Sequence, residues 1–538
     1  DPYRWLEAGD STDVQAWVEA QNRSTRAALD AIDARADWHR ALVTLMELPV
    51  VQAVQVRGDR LILLERERGA QQARLVVRSL ADPGGGATLI ADPAVGSGDA
   101  AIAVDWFDTS VDGEVVAFVV SEGGTENSVL HIARTSDGSP LGEQIPNCRA
   151  ASIAWDPDGQ GFHYTRYPEH DEYHRTVHHH TLGAPWEHDP VVWAEHPTPQ
   201  TWPNVDASPD GRFLLVTAMV GWSRTDVHLL DRRSGVWTAI QIGVDSVFNL
   251  RFDGDRLLGT TTLDAPRGRV VAAPLDDLLR LGAAVTWTTL VPERDVVVDR
   301  IRLTADGFLL ATSRAGVDAI ERHGFDGSST LIGGVGVETV VQLAADRDTG
   351  VELAVLTGFD APATIHRLDA TTAAELYPNR RDDAVPELEV SRVEYASADG
   401  TSIGLFLIHR ADVAPGPDTP TILNGYGGFA ITESPVWSPT IAAWCSNGGL
   451  YAIAGLRGGY EHGEEWHAAG KRANKQNVFD DFHAAADWLV DSGYTTRDRL
   501  AIAGGSNGGL LVGAALTQRP DLCRAVWCAV PLLDMVRF

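Results

Sequence analysis

The sequence is poor in lysine, cysteine and long apolar segments, and each shortage excludes a class of protein. Lys471 and Lys475 are the only lysines, and 44 basic against 74 acidic side chains give a net charge of −30. A chain this acidic has no basic stripe with which to bind nucleic acid. No segment reaches the roughly 18 consecutive apolar residues of a membrane span, so we expect no membrane partner. Four cysteines are too few for a disulfide framework, which favours reduced thiols and a cytoplasmic location.

The remaining composition is that of a globular protein, with 44% hydrophobic and 22% charged residues. Apolar residues at helical spacing predict two helices in the first fifty residues, over 13–30 and 36–47, with Ser11 and Thr12 as caps. Beyond about Pro49 the residue pattern changes to short β-rich runs that continue to about residue 385.

Turns of aspartate and glycine recur through this β-rich region at a regular distance. Seven of them occur between residues 58 and 350, about 48 residues apart, which is the length of a propeller blade. Asp-Gly is also a common turn in any all-β region, but the regular spacing favours a seven-bladed β-propeller. The turns are Gly58-Asp59, Asp112-Gly113, Asp158-Gly159, Asp210-Gly211, Asp253-Gly254, Asp306-Gly307 and Asp348 near Gly350.

After Pro386 strands alternate with helices. Two strands joined by Asp399-Gly400 span 390–410, and short buried strands follow at 421–424, 450–454, 500–503 and 525–530. Helical patterns cover 479–490 and 510–517. This alternation predicts a mostly parallel sheet with helices on its faces.

The motif Gly504-Gly-Ser-Asn-Gly-Gly509 matches Gly-x-Ser-x-Gly and lies between a buried strand and a helix. That context is what a nucleophile elbow requires, because the chain must reverse sharply with the serine at its apex. The following helix directs backbone N–H groups to where negative charge develops during acyl transfer. Ser506 is therefore the predicted nucleophile.

Two further segments are rich in glycine. Asn424-Gly-Tyr-Gly-Gly-Phe429 follows a buried strand and could approach a substrate carbonyl, although a tight turn with Tyr426 and Phe429 in the core is an equal interpretation. The segment 457–466, Arg-Gly-Gly-Tyr-Glu-His-Gly-Glu-Glu-Trp, precedes the helix beginning near Lys475 and alone would be only a loop.

Together these segments resemble the prolyl oligopeptidase family of serine peptidases. The resemblance also includes the opening Asp1-Pro-Tyr-Arg-Trp-Leu-Glu7 and the run Asn474-Lys-Gln-Asn-Val-Phe-Asp-Asp-Phe482, so it covers both ends of the chain. It implies an α/β-hydrolase domain with an inserted seven-bladed propeller. The expected organisation is an N-terminal helical segment packing on the hydrolase domain (1–50), the propeller (51–385) and the hydrolase domain (386–538). Tyr460 departs from the family pattern, which commonly has a third glycine there.

The resemblance also implies the roles of the site residues. Ser506 would attack the carbonyl of a peptide bond that follows proline, while the Tyr426 hydroxyl and the Asn507 backbone N–H hold the oxyanion. Phe429 would line the proline pocket. The substrates would be short proline-containing peptides, with no cofactor or metal and a monomer favoured. The alternatives are another specificity, after basic residues or releasing acylated amino acids, and an inert propeller binding module with a hydrolase remnant.

Two members of the expected triad, the aspartate and the histidine, do not follow Ser506 in the sequence. In the hydrolase order the aspartate and histidine follow the serine, yet no histidine occurs after Ser506. Asp521 and Asp534 come too early to be the triad acid. We therefore expect the triad aspartate and histidine beyond Phe538, in a C-terminal part of the hydrolase domain.

Two other clusters have structural interpretations. His178-His179-His180 suggests a metal, but consecutive strand residues face opposite sides, so the three cannot converge on one ion and we expect a solvated propeller edge. Asp480 and Asp481 are expected in the first turn of a helix, where negative charge complements the helix dipole.

Overall fold

The structure is a computed structural model that describes residues 2–94, 101–125, 127–149, 151–333, 336–378 and 382–537. Two helices open the chain, α1 (Thr12–Asp30) and α2 (Arg35–Met46). The Ser11 side chain caps α1 by accepting a hydrogen bond from the Val14 N–H. Among the described residues, no helix is both long and apolar enough to cross a membrane.

Seven antiparallel four-stranded sheets follow, which confirms the seven-bladed propeller. The first four blades are β1 (Val50–Arg57), β2 (Arg60–Arg66), β3 (Arg74–Ser79), β4 (Thr88–Ala91); β5 (Ile102–Thr109), β6 (Val115–Glu122), β7 (Val129–Arg134), β8 (Pro140–Ile145); β9 (Ile153–Trp155), β10 (Gly161–Arg166), β11 (Thr176–Thr181), β12 (Val191–Trp193); and β13 (Trp202–Ala207), β14 (Phe213–Met219), β15 (Thr225–Asp231), β16 (Val236–Gln241). The last three are β17 (Phe248–Asp253), β18 (Arg256–Thr261), β19 (Arg269–Pro274), β20 (Thr288–Val291), with α3 (Leu275–Leu281) after β19; β21 (Val297–Leu303), β22 (Gly307–Arg314), β23 (Val317–Gly324), β24 (Ser329–Ile332); and β25 (Glu338–Asp346), β26 (Val351–Gly358), β27 (Ala361–Leu368), β28 (Ala373–Tyr377).

Each aspartate-glycine turn joins the first two strands of a blade. In the fifth blade, for example, Asp253 pairs with Arg256 across the turn, and Gly254 has a φ of +61°. A positive φ is accessible to glycine without steric cost, and the glycines of all these turns except Gly307, which begins β22, have one. The turns are regularly spaced in the sequence because the same hairpin is repeated in every blade.

The last part of the chain forms a six-stranded sheet with flanking helices, as expected for an α/β-hydrolase domain. The strand order is β29-β30-β32-β31-β33-β34, in which β31, β32, β33 and β34 are parallel and β30 is antiparallel to its neighbours β29 and β32. Its elements are β29 (Leu388–Ala396), β30 (Ser402–Arg410), β31 (Thr421–Gly425), α4 (Pro439–Ser446), β32 (Leu450–Gly455), α5 (Glu464–Ala468), α6 (Lys475–Asp491), β33 (Leu500–Gly505), α7 (Asn507–Gln518) and β34 (Ala525–Ala529).

Helices α6 and α7 cover the sheet and close its main core. Phe482 of α6 and Leu511 of α7 are buried together with Leu423 and Ile502, which come from the adjacent parallel strands β31 and β33. This packing fixes the carboxyl ends of β31 and β33 next to each other. Ligand sites of α/β sheets occur at such strand ends.

The N-terminal helices contact the hydrolase domain through α2. Trp38 stacks on Trp444 of α4 with 5.8 Å between ring centroids, and Leu45 is buried against Ala442 and Ala443. Burial of these apolar groups holds the start of the chain close to α4. The domain boundaries at residues 50 and 385 remain predictions.

Candidate active site

Ser506 lies between β33 and α7, at the sharp reversal that the motif predicts. Its backbone has φ +56° and ψ −115°, a conformation that non-glycine residues rarely adopt. The Ser506 N–H donates to the Ala529 carbonyl of β34 at 3.0 Å, and the Ser506 carbonyl accepts from the Leu510 N–H at 3.1 Å. Strain held by the surrounding structure is typical of functional serines at an elbow.

The reversal depends on Gly504. A Cβ at this position would overlap the carbonyl of Gly508, which belongs to the first turn of α7. Within the described ranges the Ser506 hydroxyl makes no hydrogen bond, and the residue is half-buried. The hydroxyl is therefore not engaged by the fold that positions it.

Asn507 connects the elbow to the glycine-rich loop after β31. This residue is buried, its Nδ2 donates to the Tyr426 carbonyl at 2.6 Å, and its Oδ1 accepts from Lys475 Nζ at 3.2 Å. Lys475 also donates to the Gly427 carbonyl at 2.8 Å, and burial lowers the pKa of its ammonium group to about 8. The backbone N–H of Asn507 begins α7, where N–H groups have no partner within the helix.

Phe429 ends the same loop and meets the propeller. Its φ is +57°, and its ring contacts Trp222 edge-on, with 5.7 Å between centroids and an angle of 74°. Trp222 comes from the turn between β14 and β15 and is 55% exposed. The aromatic pair thus spans the two domains.

A cavity of about 820 Å³ lies between the propeller and the hydrolase domain at this point. It is bounded by the β14–β15 turn on one side and by the loop after β31, the segment around α5 and α6 and the start of α7 on the other. The lining residues are Val220, Gly221, Trp222, Ser223, Arg224, Asp245, Gly428, Phe429, His467, Gly470, Lys471, Arg472, Lys475, Asn507, Leu510, Leu532 and Met535.

A polar cluster closes one side of this cavity and joins the domains. Ser223 of the propeller donates to Glu464 Oε1 at 2.7 Å, and Lys471 Nζ donates to the Ser223 hydroxyl at 3.0 Å. His467 Nδ1 lies 3.2 Å from Glu464 Oε1. Burial alone would raise the pKa of Glu464, but hydrogen bonds from His467, Ser223 and Lys471 outweigh it and hold the pKa at about 2.

Asp481 has a different role from the one its position suggested. Helix α6 begins at Lys475, so Asp481 lies in its second turn, fully buried, and not in the first turn at the helix dipole. It accepts hydrogen bonds from the Arg457 guanidinium at 2.6 and 3.0 Å and from the Ser397 hydroxyl at 2.5 Å. The expectation of a first-turn carboxylate was wrong because the helix starts four residues earlier than its apolar pattern.

The structure therefore brings together the four residues singled out in the sequence. Asn507 and Phe429 line the cavity, Ser506 immediately precedes Asn507, and the Tyr426 carbonyl is bonded to the Asn507 side chain. Sequence reasoning missed Trp222 and Ser223, which carry no motif. The two lysines were a usable signal, since the only lysines of a very acidic chain both line this cavity.

Within the described ranges no histidine is bonded to Ser506. His467 is the one that lines the cavity there, and its Nδ1 is engaged by Glu464 and by the Ser223 hydroxyl. The expectation of a triad aspartate and histidine beyond Phe538 stays a prediction.

Comparisons with known proteins agree with this architecture. Residues 1–380 match the family model of the prolyl oligopeptidase N-terminal β-propeller domain, and residues 436–538 match the prolyl oligopeptidase family. The prolyl endopeptidase of Elizabethkingia meningoseptica is 29% identical over 555 residues, which cover all of this chain and 77% of the relative.

Solved structures of prolyl peptidases are similar over the whole chain. A structure from a study of two prolyl endopeptidases has 33% identity and a TM-score of 0.90, covering all of this chain and 80% of that one. Prolyl oligopeptidase B of Galerina marginata, bound to a 35-residue hydrolysis and macrocyclization substrate, has 25% identity and a TM-score of 0.91, with the same coverage. The chain thus belongs to the prolyl oligopeptidase family.

Proposed function

We propose that this protein is a serine peptidase that hydrolyses short peptides on the carboxyl side of proline. The observation that carries the proposal is the conformation of Ser506, held at φ +56° between β33 and α7, directly before Asn507, which lines the cavity shared by both domains. Such an elbow presents the hydroxyl to a substrate carbonyl while the N–H groups of the following helix face the developing oxyanion.

In the proposed reaction Ser506 Oγ adds to the carbonyl carbon and loses its proton to a histidine base. Collapse of the tetrahedral intermediate breaks the C–N bond, the leaving amine takes the proton, and water then hydrolyses the acyl-serine ester. The Asn507 N–H and the Tyr426 hydroxyl would hold the oxyanion. The base is the histidine predicted beyond Phe538.

Specificity for proline is supported by the surface beside the elbow. Phe429 and Trp222 present two aromatic rings to the cavity, and an aromatic face suits the apolar pyrrolidine ring. Cleavage after lysine or arginine would require carboxylates, yet the described lining carries one, Asp245, against four cationic side chains: Arg224, Lys471, Arg472 and Lys475. The charge of the cavity therefore disfavours the alternative specificity after basic residues.

The test uses the natural gene product with Ser506→Ala and, as matched control, Ser492→Ala, an exposed serine at the end of α6. We expect hydrolysis of a proline-containing fluorogenic peptide to fall by roughly a thousandfold or more in Ser506→Ala and to stay unchanged in the control. A fluorophosphonate probe should label the wild type and the control but not Ser506→Ala.

Two results would contradict the proposal. Faster turnover of an arginine peptide than of the proline peptide would favour the other specificity. A wild-type protein that is neither labelled nor active would favour an inert binding module.

A further inference from the structure

The third blade carries a cluster of two histidines and an aspartate that the peptidase reaction does not use. Asp156 follows β9, His163 lies on β10, and His179 lies on β11. One ligand atom from each lies within 4.8 Å of the other two, and among the described residues this is the one such group of metal-binding side chains.

The cluster forms across the sheet and not along one strand. His163 and His179 are paired in register on neighbouring antiparallel strands, with 4.7 Å between ring centroids. Residues directly opposite each other project from the same face. Three consecutive histidines on one strand still cannot share an ion. The expected solvated edge was wrong, because His178 and His180 are buried.

The side chain of His163 gives the main support for a bound ligand at this cluster. Its side chain is 2% exposed, and its Nδ1 has no hydrogen-bond partner. Burial, together with the neighbouring His179 and Arg232, lowers the pKa of this imidazole to about 3. A buried polar atom without a partner is costly unless something binds it.

Gly161 borders the three side chains. A Cβ on this residue would first meet the His180 carbonyl at 2.5 Å, and it would also lie 3.0 Å from Asp156 Oδ2 and 3.4 Å from His179 Nε2. These two atoms are 2.7 Å apart and share a proton in a hydrogen bond. A cation could replace that proton, since metal ligands bind in their deprotonated forms.

We propose that Asp156, His163 and His179 bind one Zn²⁺ ion, with water completing a tetrahedral shell. Zinc bound by imidazole and carboxylate needs ligand atoms about 2.0–2.2 Å from the ion, hence roughly 3.4 Å from each other, which small side-chain rotations provide. Asp156 and His179 remain 14% and 22% exposed, and a cavity of about 600 Å³ borders Asp156, so the ion can enter from solvent.

Arg232 determines which ions fit. Its guanidinium donates to Asp156 Oδ1 at 2.8 Å and to the Gly211 carbonyl, which leaves Oδ2 for the ion but neutralises part of the carboxylate charge. Ca²⁺ and Mg²⁺ depend on several oxygen ligands and would bind poorly here. Ions that favour imidazole nitrogen, such as Zn²⁺ and Co²⁺, suit the site.

The test is calorimetric titration of ZnCl₂ into the metal-stripped natural protein, repeated with CoCl₂ to follow the visible absorption of tetrahedral cobalt. The variants are Asp156→Asn and His179→Gln, which keep side-chain shape. His174→Gln is the matched control, because His174 Nδ1 lies 2.8 Å from Asp171 in the same blade, but among the described residues this exposed pair has no third metal-binding side chain grouped with it. Unchanged turnover of the proline peptide would show that each variant is folded.

We expect one high-affinity Zn²⁺ per chain in the wild type and in His174→Gln, and at least about a tenfold loss of affinity in both cluster variants. Zinc should raise the melting temperature only where it binds. Equal zinc affinity in the wild type and the cluster variants, or no binding by the wild type, would overturn the proposal. Loss of binding in His174→Gln alone would assign the zinc to the exposed pair instead.

Discussion

Gly254 of the propeller and Gly504 of the hydrolase domain are required for different reasons. In the propeller, Gly254 lies in a hairpin turn with open space around the position of a Cβ, and its positive φ is what the turn requires. In the hydrolase domain, Gly504 is enclosed by the backbone of α7. The propeller repeats one local turn in every blade, whereas the elbow depends on the close approach of β33 to the first turn of α7 and has little tolerance for added atoms.

The largest effect that this comparison predicts is that of Gly504→Ala. The added methyl group would overlap the Gly508 carbonyl, so either the elbow or α7 must move. We expect a loss of about 5 kcal/mol or more of unfolding free energy, measured by chemical denaturation, together with loss of peptidase activity.

Gly254→Ala in the propeller is the matched variant. Here a methyl group meets open space, and only the φ of +61° opposes it, so we expect a cost of about 1 kcal/mol and full activity. Equal losses in the two variants would show that crowding at position 504 adds no cost, which would contradict this comparison.

One ion pair from each region provides a second comparison, of a buried pair with an exposed one. Arg457 and Asp481 are buried in the hydrolase domain, whereas Arg280 and Asp277 of α3 are 66% and 44% exposed in the propeller. Asp481→Asn leaves the guanidinium without its buried counter-charge, and we expect it to cost about 3 kcal/mol. Asp277→Asn should cost less than about 1 kcal/mol. Denaturation curves of the two variants, compared with the wild type, measure the difference.

A small loss in Asp481→Asn would indicate that Asp399, which lies 2.6 Å from Arg457 Nη1 and is half exposed, suffices to neutralise the arginine. The double variant Asp399→Asn with Asp481→Asn would then show the missing destabilisation.

The sequence predicted the propeller well because its signal is local and repeated. Every aspartate-glycine turn marks the same hairpin, so the blade number follows from counting turns. The elbow could also be predicted, because Gly504, Ser506 and Gly508 fall within five residues between a strand and a helix.

Contacts between segments far apart in the chain could not be predicted. Trp222 meets Phe429 across 207 positions, and His163 meets His179 only through the register of two strands. Neither pair leaves a pattern along the sequence. Asp481 was misplaced for a related reason, since its partner Arg457 lies on a different segment and the helix start was set by apolar spacing alone.

One buried carboxyl group from each region provides a third comparison, of their pKa values. Glu461 of the hydrolase domain is buried, its Oε2 has no partner, and burial raises its pKa to about 8. In the propeller, burial would raise the pKa of Glu321, but hydrogen bonds from His323 and Arg294 hold it at about 2. Of these two carboxyls, Glu461 takes up a proton on folding between pH 5 and pH 8 and Glu321 does not.

A raised pKa in the folded state gives stability that is fully present below the unfolded pKa and is lost as the pH rises toward 8. Glu461→Gln should remove this contribution. The unfolding free energy should then fall less steeply between pH 5 and pH 8, by up to about 1.4 kcal/mol per pH unit. Glu321→Gln should leave the slope in this range unchanged, because that carboxyl is ionised in both states. Parallel slopes for Glu461→Gln and wild type would mean that Glu461 is charged in the folded protein.

The smallest predicted effect tests whether the propeller wall takes part in substrate binding. Trp222→Ala removes the propeller ring from the edge of Phe429 but leaves Ser506 and its neighbours in place. Aromatic contacts of this kind contribute about 0.5–1.5 kcal/mol, so we expect KM for a proline peptide to rise by roughly three- to tenfold with kcat within about twofold. Trp17→Ala is the matched control, because Trp17 is 42% exposed and makes a similar edge-on contact with Trp5 outside the cavity lining. Steady-state kinetics separate the outcomes: a fall in kcat would mean that Trp222 acts on the transition state, and unchanged kinetics would mean that the hydrolase domain alone forms the proline pocket.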